Sequence, residues 1–163
     1  MDKQLLLARR DYFNLVHSVT LRAIALLSDH DLDFRPRAGM RSPRELIFHI
    51  YTQEKVLAEA AHQGRFTVDM ATASNPEEQP EAVTALRTVD DALRYAKACH
   101  AAAEDVFRGM SAEQAAREIE SFLGGYPAWQ YFQFAYDEHW HHRGQLYTYL
   151  RLLAKEPPGL YDY

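Results

Sequence analysis

The sequence predicts an all-α protein that folds as a four-helix bundle with a long crossover connection. Four long segments carry apolar residues at helical spacing, and two of them begin at clear capping signals. No segment shows the alternation that is typical of a strand. Helices of 20 or more residues with one long crossover are typical of four-helix bundles. The 163 residues are expected to form one domain over residues 1–163.

The composition excludes several classes of protein. The net charge of -5, with lysines and arginines scattered along the chain, argues against a nucleic-acid partner. No apolar stretch approaches the length of a membrane span, so no membrane partner is expected. Cys99 is the single cysteine, which excludes an internal disulfide and is consistent with a reducing compartment. A soluble, cytoplasmic protein is therefore expected.

The first helix is expected over residues 3–28, because apolar side chains recur there every three or four positions. Pro36 and Gly39 interrupt the pattern in the segment that follows. The predicted inward face consists of Leu5, Ala8, Tyr12, Leu15, Val19, Ala23 and Leu26.

The second helix has a clear start and a clear end. Ser42 and Glu45 form a capping box with Pro43 in the first turn, and Gly64 marks the end. Its predicted inward face consists of Leu46, His49, Ile50, Gln53, Val56, Leu57 and Ala60.

Residues 65–87 are polar and contain prolines, as in ATASNPEEQPEA, which predicts a long connection. The connection could form a lid, a dimer contact or a crossover, and we favour a mobile connector.

The third helix starts at Thr88, where Asp91 completes a second capping box. Ser111 and Gln114 form a further box that opens a short helical turn. The predicted inward face of the third helix consists of Val89, Leu93, Ala96, His100, Ala103 and Phe107.

The last helix is expected over residues 127–155, between Gly124-Gly125 and Pro157-Pro158-Gly159. Its inward stripe becomes polar for two turns in the middle of the helix. The stripe consists of Ala128, Tyr131, Ala135, Glu138, His142, Gln145, Leu146, Tyr149 and Leu153. Burying such polar groups costs several kcal/mol unless they are paired or bind an ion.

A metal site accounts for the polar stripe. Glu138 and His142 are four residues apart, so both can reach one ion, and His49 lies on the apolar face of the second helix. Two imidazoles and a carboxylate suit zinc, nickel, manganese or iron(II), and they leave coordination positions open for water or substrate. Spacing does not show that the two helices meet.

Other histidines compete for these roles. His139 is three residues before His142 and is the alternative ligand to Glu138, although Glu138 fits the stripe better. His141 is rotated about 100° from His142 and is expected outside the ligand set. His100 and Cys99 are interpreted as core residues. Residues interpreted as lying on the surface are His17, His30 and His62.

Two separated motifs resemble the DinB-like superfamily, which includes the YfiT-type metal-dependent hydrolases. HHRGQLYTYLR, followed by KEPPGLY, resembles its C-terminal signature, and LDFRPRAGMRSPRELIFHIYTQE resembles the entry into its second helix. The resemblance implies up-down-down-up connectivity, a homodimer and one divalent metal ion, commonly zinc or nickel. Carried over, the ligands fall on His49, Glu138 and His142. The usual family residue at the position of Glu138 is histidine, which keeps His139 as the alternative.

The resemblance also implies a function. Members of the superfamily transfer low-molecular-weight thiols such as bacillithiol to small electrophiles, so a metal-dependent S-transferase in detoxification or stress response is expected. The alternatives are a metal-dependent hydrolase of a small ester or amide, and a non-enzymatic metal- or ligand-binding stress protein. Arg143 and Gln145 are candidates for orienting nearby groups or binding an anionic co-substrate. Tyr149 could line the pocket, although we favour its interpretation as a core tyrosine.

A homodimer is expected for a second reason as well. Aromatic residues lie on more than one side of the last helix, which therefore needs a second cover, either residues 65–87 or another subunit. These residues are Trp129, Tyr131, Phe132 and Phe134.

Overall fold

The structure is a computed structural model that describes residues 3–122 and 124–162. It is an all-α bundle, as predicted, and its four long helices are α1 (Lys3–Ala25), α2 (Pro43–Gln63), α5 (Val89–Gly109) and α7 (Ala128–Leu152). A short 3-10 helix, Asp29–Asp33, follows α1. The shorter α-helices are α3 (Met70–Ala73), α4 (Pro80–Thr84) and α6 (Ala112–Ala116).

Local capping chemistry sets most of the helix starts. The capping boxes predicted at Ser42, Thr88 and Ser111 are all present, and each serine or threonine hydroxyl accepts a backbone N–H from the third helical residue. Gly64 ends α2 in the left-handed conformation (φ 75°). The helix α1 ends three residues earlier than predicted, because Ser28 caps the 3-10 helix instead.

α1 runs antiparallel to both α2 and α5. Arg10, in the first half of α1, forms ion pairs with Glu54 of α2 and with Glu104 near the end of α5. Asp29, just beyond α1, accepts a hydrogen bond from the backbone N–H of Val89, the first residue of α5 (2.7 Å). α2 and α5 are therefore parallel to each other.

α7 runs antiparallel to α2. Near its start, Tyr131 packs on Phe66, just beyond the end of α2, with ring centroids 5.5 Å apart. Near its end, Tyr149 donates a hydrogen bond to the backbone carbonyl of Arg41, just before α2 (2.8 Å). The four long helices thus run up, down, down and up, as predicted.

A β-hairpin between α6 and α7 corrects the prediction that the chain contains no strand. β1 (Glu118–Ser121) and β2 (Gly124–Pro127) pair antiparallel, with Ile119 opposite Tyr126. Four-residue strands are too short to show a clear alternation of apolar and polar residues. The predicted break at Gly124 is the start of β2, where a φ of 108° favours glycine.

Residues 65–87 form a crossover that packs on α2. The segment contains α3 and α4, and it buries Ser74, Val83 and Leu86. Val83 and Leu86 contact Phe48 of α2. The segment therefore contributes side chains to the interior. The predicted mobile connector had no such packing role.

The predicted inward face of α1 is wrong in part. Leu5, Tyr12, Leu15 and Leu26 are 39–50% exposed, although Val19 and Ala23 are buried as predicted. The buried face also carries polar side chains, so apolar spacing alone selected a neighbouring stripe. The buried residues of α1 are Leu6, Arg10, Phe13, Val16, His17, Val19, Thr20, Ala23 and Ile24.

A buried polar network connects α1, α2 and α5. Arg10 is fully buried, and its Nη2 lies 3.2 Å from Oε1 of Glu54, while its Nε contacts Glu104. The ring nitrogens of His100 lie 2.8 Å from Oε1 of Glu54 and 2.8 Å from Oδ1 of Asn14. Although burial alone would raise the pKa of Glu54, the hydrogen bond with His100 and the Arg10 charge lower it below its ordinary value.

His17 is buried in this network, which corrects the prediction of a surface histidine. Its ring stacks on His100 with centroids 3.6 Å apart, and its Nδ1 is hydrogen-bonded with the Tyr51 hydroxyl (3.1 Å). Burial and the neighbouring charges lower the pKa of His17 from 6.5 to about 2, so this imidazole is neutral. His100 and Cys99 are core residues, as predicted.

The homodimer stays a prediction, although the aromatic residues of α7 do not require one. Tyr131 and Phe132 are buried within the chain, and Phe134 packs against Tyr126 of the hairpin with ring centroids 5.3 Å apart. The crossover and the hairpin therefore supply the second cover. Within the described ranges, no helix has both the length and the apolar composition needed to cross a bilayer.

Replacing Glu54 with glutamine is expected to destabilise the fold strongly. The substitution keeps the volume but removes the fully buried one of the two carboxylates that pair with Arg10, which costs about 3 kcal/mol of unfolding free energy, at the low end for a broken buried pair because Glu104 remains. Urea unfolding of E54Q measures the loss. The control is Lys55→Ala, which removes an exposed pair with Glu59 (3.6 Å) worth about 0–1 kcal/mol. Equal effects of the two substitutions would contradict a stabilising role for the network.

The stability of the fold is expected to decrease as the pH falls through 6.5. His17 binds a proton there in the unfolded chain but not in the folded one, so this single proton contributes up to about 1.4 kcal/mol per pH unit. Urea unfolding between pH 7 and pH 5 should give a shallower pH slope for His17→Gln than for the wild type. The groups that face His17 are His100 from α5, His139 from α7, Glu54 and Tyr51 from α2, and Arg10 from α1.

His30→Gln is the matched control, because it removes an exposed histidine that lies outside the buried network. A slope that is unaltered in the His17 variant would contradict the neutral, buried imidazole.

Candidate metal centre

The packing of α2 on α7 brings His49, Glu138 and His142 together. One ligand atom from each residue lies within 4.8 Å of the other two. Nε2 of His142 lies 3.1 Å from Oε2 of Glu138, and Nε2 of His49 lies 3.9 Å from the same oxygen. The two imidazole rings are nearly perpendicular, with centroids 4.8 Å apart. The three side chains, one from α2 and two from α7, thus form one cluster.

Hydrogen bonds orient both imidazoles with Nε2 toward the cluster. Nδ1 of His49 donates to the backbone carbonyl of Ser74 in the crossover (2.6 Å). Nδ1 of His142 donates to Oε1 of Gln145 (2.9 Å), whose own amide nitrogen lies 3.4 Å from Nε2 of His141. A neutral imidazole that donates through Nδ1 presents a lone pair on Nε2, as a metal ligand must.

The charges of the cluster suit a cation. Burial, followed by the positive charge of Arg41, lowers the pKa of His49 to about 4, so that its imidazole is neutral near pH 7. The hydrogen bond with His142 lowers the pKa of Glu138, which is therefore a carboxylate. Nε2 of His142 and the carboxylate oxygen lie 3.1 Å apart, where one cation could replace the proton between them. This donor set fits a divalent metal ion.

His139 lies on the other side of α7 and points into the core. It is fully buried, and its Nε2 is 2.7 Å from the hydroxyl of Thr20 in α1. Because that hydroxyl donates to the Val16 carbonyl, Nε2 of His139 is the donor in this contact. The geometry therefore places Glu138, and not His139, beside His49 and His142.

Two other candidate residues serve the fold instead. Arg143 is buried against α1, where its Nη1 donates to the Val16 carbonyl (3.2 Å) and its guanidinium lies 4.0 Å from the Trp140 ring centroid. It is therefore not placed to bind a co-substrate at the cluster. Tyr149 is a core residue that donates to the Arg41 carbonyl. Gln145 does have the predicted orienting position, through His142.

A cavity of about 480 Å³ lies beside the cluster, bounded by α2, α3, α7 and the hairpin turn. His49 and Glu138 form part of its wall, so a ligand in the cavity would reach the cluster. The lining residues are Arg41, His49, Gln53, Leu57, Met70, Ala71, Ser74, Asn75, Phe122, Phe134, Asp137 and Glu138.

Several of these lining residues were not predicted from the sequence as functional candidates. Gln53 had a detectable signal, because it is a polar residue on the apolar face of α2, one turn after His49. Arg41 precedes the helix cap and carries no comparable signal. Ser74 acts through its backbone carbonyl, which any residue type could supply.

Comparisons with known proteins agree with this fold. The sequence model of the DinB superfamily matches residues 12–146. A DinB-like protein from Bacillus subtilis, YjoA, is similar in structure, with a TM-score of 0.73 and 22% identity over 93% of this chain and 95% of that one. None of the curated proteins compared with the chain matches it.

A second similar structure is a mycothiol-dependent maleylpyruvate isomerase, with a TM-score of 0.70 and 21% identity over 86% of this chain. A histidine-to-alanine variant of that isomerase gives a TM-score of 0.67 at 19% identity. The matched region covers 60% of the isomerase chain, so the two proteins differ in extent. At these identities the likeness shows the fold.

Zinc titration of metal-free protein is expected to show one site per chain. His49→Ala and Glu138→Gln each remove one of the three donors and should weaken zinc binding by roughly 100-fold or more. His139→Gln should keep the affinity, since His139 faces the core. The matched control is His141→Ala, an exposed neighbour. If the His139 variant lost zinc binding and the Glu138 variant kept it, the third ligand would be His139 and not Glu138.

Proposed function

We propose that this chain, which belongs to the DinB superfamily, is a divalent-metal-dependent enzyme that transfers a low-molecular-weight thiol to a small electrophile. The observation that carries the proposal is the convergence of His49, Glu138 and His142 in one cluster, two of whose members, His49 and Glu138, line a cavity that can hold a small molecule. Such cavities, with a few convergent polar groups, are typical of small-molecule sites.

His49, Glu138 and His142 would hold the metal. A divalent metal bound by such a set lowers the pKa of a coordinated thiol or water, which supplies a nucleophile near neutral pH. Three protein donors leave room for a reactant at zinc, nickel, manganese or iron. Zinc or nickel is the ion that the family resemblance favours.

The protein's own groups prepare the site for this role. Ser74 and Gln145 hold the two imidazoles with Nε2 directed at the cluster, so neither ring needs to rotate before an ion binds. Both histidines are buried, with exposures of 8% for His49 and 7% for His142. The side chain of Glu138 is 41% exposed, so the cluster opens to solvent on that side.

The similar isomerase supports a thiol co-substrate. That enzyme is mycothiol-dependent, and its fold is like that of this chain over 86% of the chain. A thiol-dependent reaction is therefore compatible with this architecture, and we extend the thiol dependence, but not the isomerase substrate, to this chain.

Thiol-dependent turnover tests the proposal. Zinc-loaded and nickel-loaded protein is incubated with bacillithiol and monochlorobimane, and conjugate formation is followed by fluorescence. We expect metal-dependent turnover that falls at least about 100-fold in His49→Ala, because one metal donor is lost. His141→Ala should retain activity.

The alternative outcomes are distinct from this result. Cleavage of small esters without a thiol would contradict the transferase and indicate a hydrolase. One equivalent of metal with neither activity would indicate a non-enzymatic metal-binding protein. A chain that binds no divalent metal would contradict the proposal as a whole.

A further inference from the structure

The cavity beside the cluster contains a positive charge that no acidic group of the described chain neutralises. Arg41 is half-buried on the cavity wall, and its side chain forms no hydrogen bond or ion pair with any residue in the ranges 3–122 and 124–162. Other arginines with little exposure differ in this respect. Arg10 pairs with Glu54, and Arg44 pairs with Asp33 (2.6 Å).

The backbone around Arg41 is held in place, although the Arg41 side chain has no hydrogen-bond or ion-pair partner among the described residues. The Arg41 carbonyl accepts a hydrogen bond from the Tyr149 hydroxyl (2.8 Å), and the next residue, Ser42, caps α2. A fixed backbone limits where the guanidinium can lie, which lowers the entropy lost when it binds a ligand. A guanidinium also matches a carboxylate in shape, since two parallel N–H groups can donate to its two oxygens.

A second polar group of the cavity also lacks a partner. Gln53 is 8% exposed, lines the cavity one turn after His49, and has a buried Oε1 without a hydrogen-bond partner among the described residues. Buried amides are normally paired, so a rotation of the Gln53 amide toward the cavity would let it hydrogen-bond to a polar atom of a bound molecule. Gln53 lies on the same face of α2 as His49.

The remaining walls of the cavity are apolar or carry carboxylates that already contact other side chains. Leu57, Met70, Phe122 and Phe134 form an apolar surface. Among the acids, Glu138 contacts His142, and Asp137 is an exposed residue that accepts a hydrogen bond from Nε2 of Gln133 (2.8 Å). Neither carboxylate forms an ion pair with Arg41, so the Arg41 charge stays available for an anionic ligand.

We propose that the cavity binds a small molecule with one carboxylate and an apolar body, the carboxylate pairing with Arg41 and the body lying against Leu57, Met70, Phe122 and Phe134. This inference rests on the proposed function in one respect: the end of the bound molecule that reacts would lie at the His49–Glu138–His142 cluster. The pairing with Arg41 requires no metal.

Matched acid and amide pairs test the inference. Hexanoate, 3-phenylpropanoate and 4-phenylbutanoate are titrated calorimetrically against their neutral amides, with metal-free and with zinc-loaded wild-type protein. We expect the preferred acid to bind at least about tenfold more tightly than its amide in both forms, since a hydrogen bond to a charged group discriminates by about that factor.

Two variants show which side chain causes the preference for the acid over its amide. Arg41→Gln should abolish the preference for the acid, whereas Arg37→Gln should retain it, because Arg37 lies in the same loop, is exposed and does not line the cavity. Circular dichroism and the melting temperature establish that both variants are folded.

Several results would overturn the inference. A preference that appears only with zinc and survives Arg41→Gln would mean that the metal, and not Arg41, binds the carboxylate. The absence of any preference across all three pairs would also refute it. Failure of zinc binding together with an Arg41-dependent preference in metal-free protein would refute the proposed function alone.

Discussion

The antiparallel packing of α2 on α7 is the contact on which the candidate site depends. It places His49 opposite His142 and brings Glu138 within reach of both imidazoles. Neither helix alone supplies a complete donor set. The same packing continues from Phe66 and Tyr131 at one end to Arg41 and Tyr149 at the other, so the cluster lies on a rigid surface between two long helices.

Two polar clusters in the described part of the bundle differ in how their polar groups are partnered. In the interior, Arg10 pairs with Glu54, and Glu54 contacts His100, through short contacts among α1, α2 and α5. At the surface of the same bundle, His49 and His142 lie beside the Glu138 carboxylate, and His49 and Glu138 line a cavity. The first arrangement pairs its charges within the protein, whereas the second directs three donor atoms at a common point. This difference separates a stabilising network from a binding site.

The crossover connects the fold to the proposed chemistry. Its Ser74 carbonyl selects the tautomer of His49, and its Met70 and Asn75 form part of the cavity wall. The hairpin contributes Phe122 to the same cavity, so segments that would otherwise only connect helices define the space available to a ligand. The apolar and cationic character of that space, and not the metal donors, would determine which molecules enter.

Local patterns were sufficient to predict the four long helices, three capping boxes, and the polar interruption that carries Glu138 and His142. Helical periodicity and capping depend on residues only a few positions apart, so they can be read without knowledge of the fold. Tertiary packing decided that Glu138 faces His49 while His139 faces Thr20, and that His17 lies in the core. Adjacent residues on a helix point about 100° apart, and only the neighbouring helices determine which of these directions is the interior. The Ser74 carbonyl and the short hairpin were not predictable for the same reason, because their roles arise from contacts between segments distant in the chain.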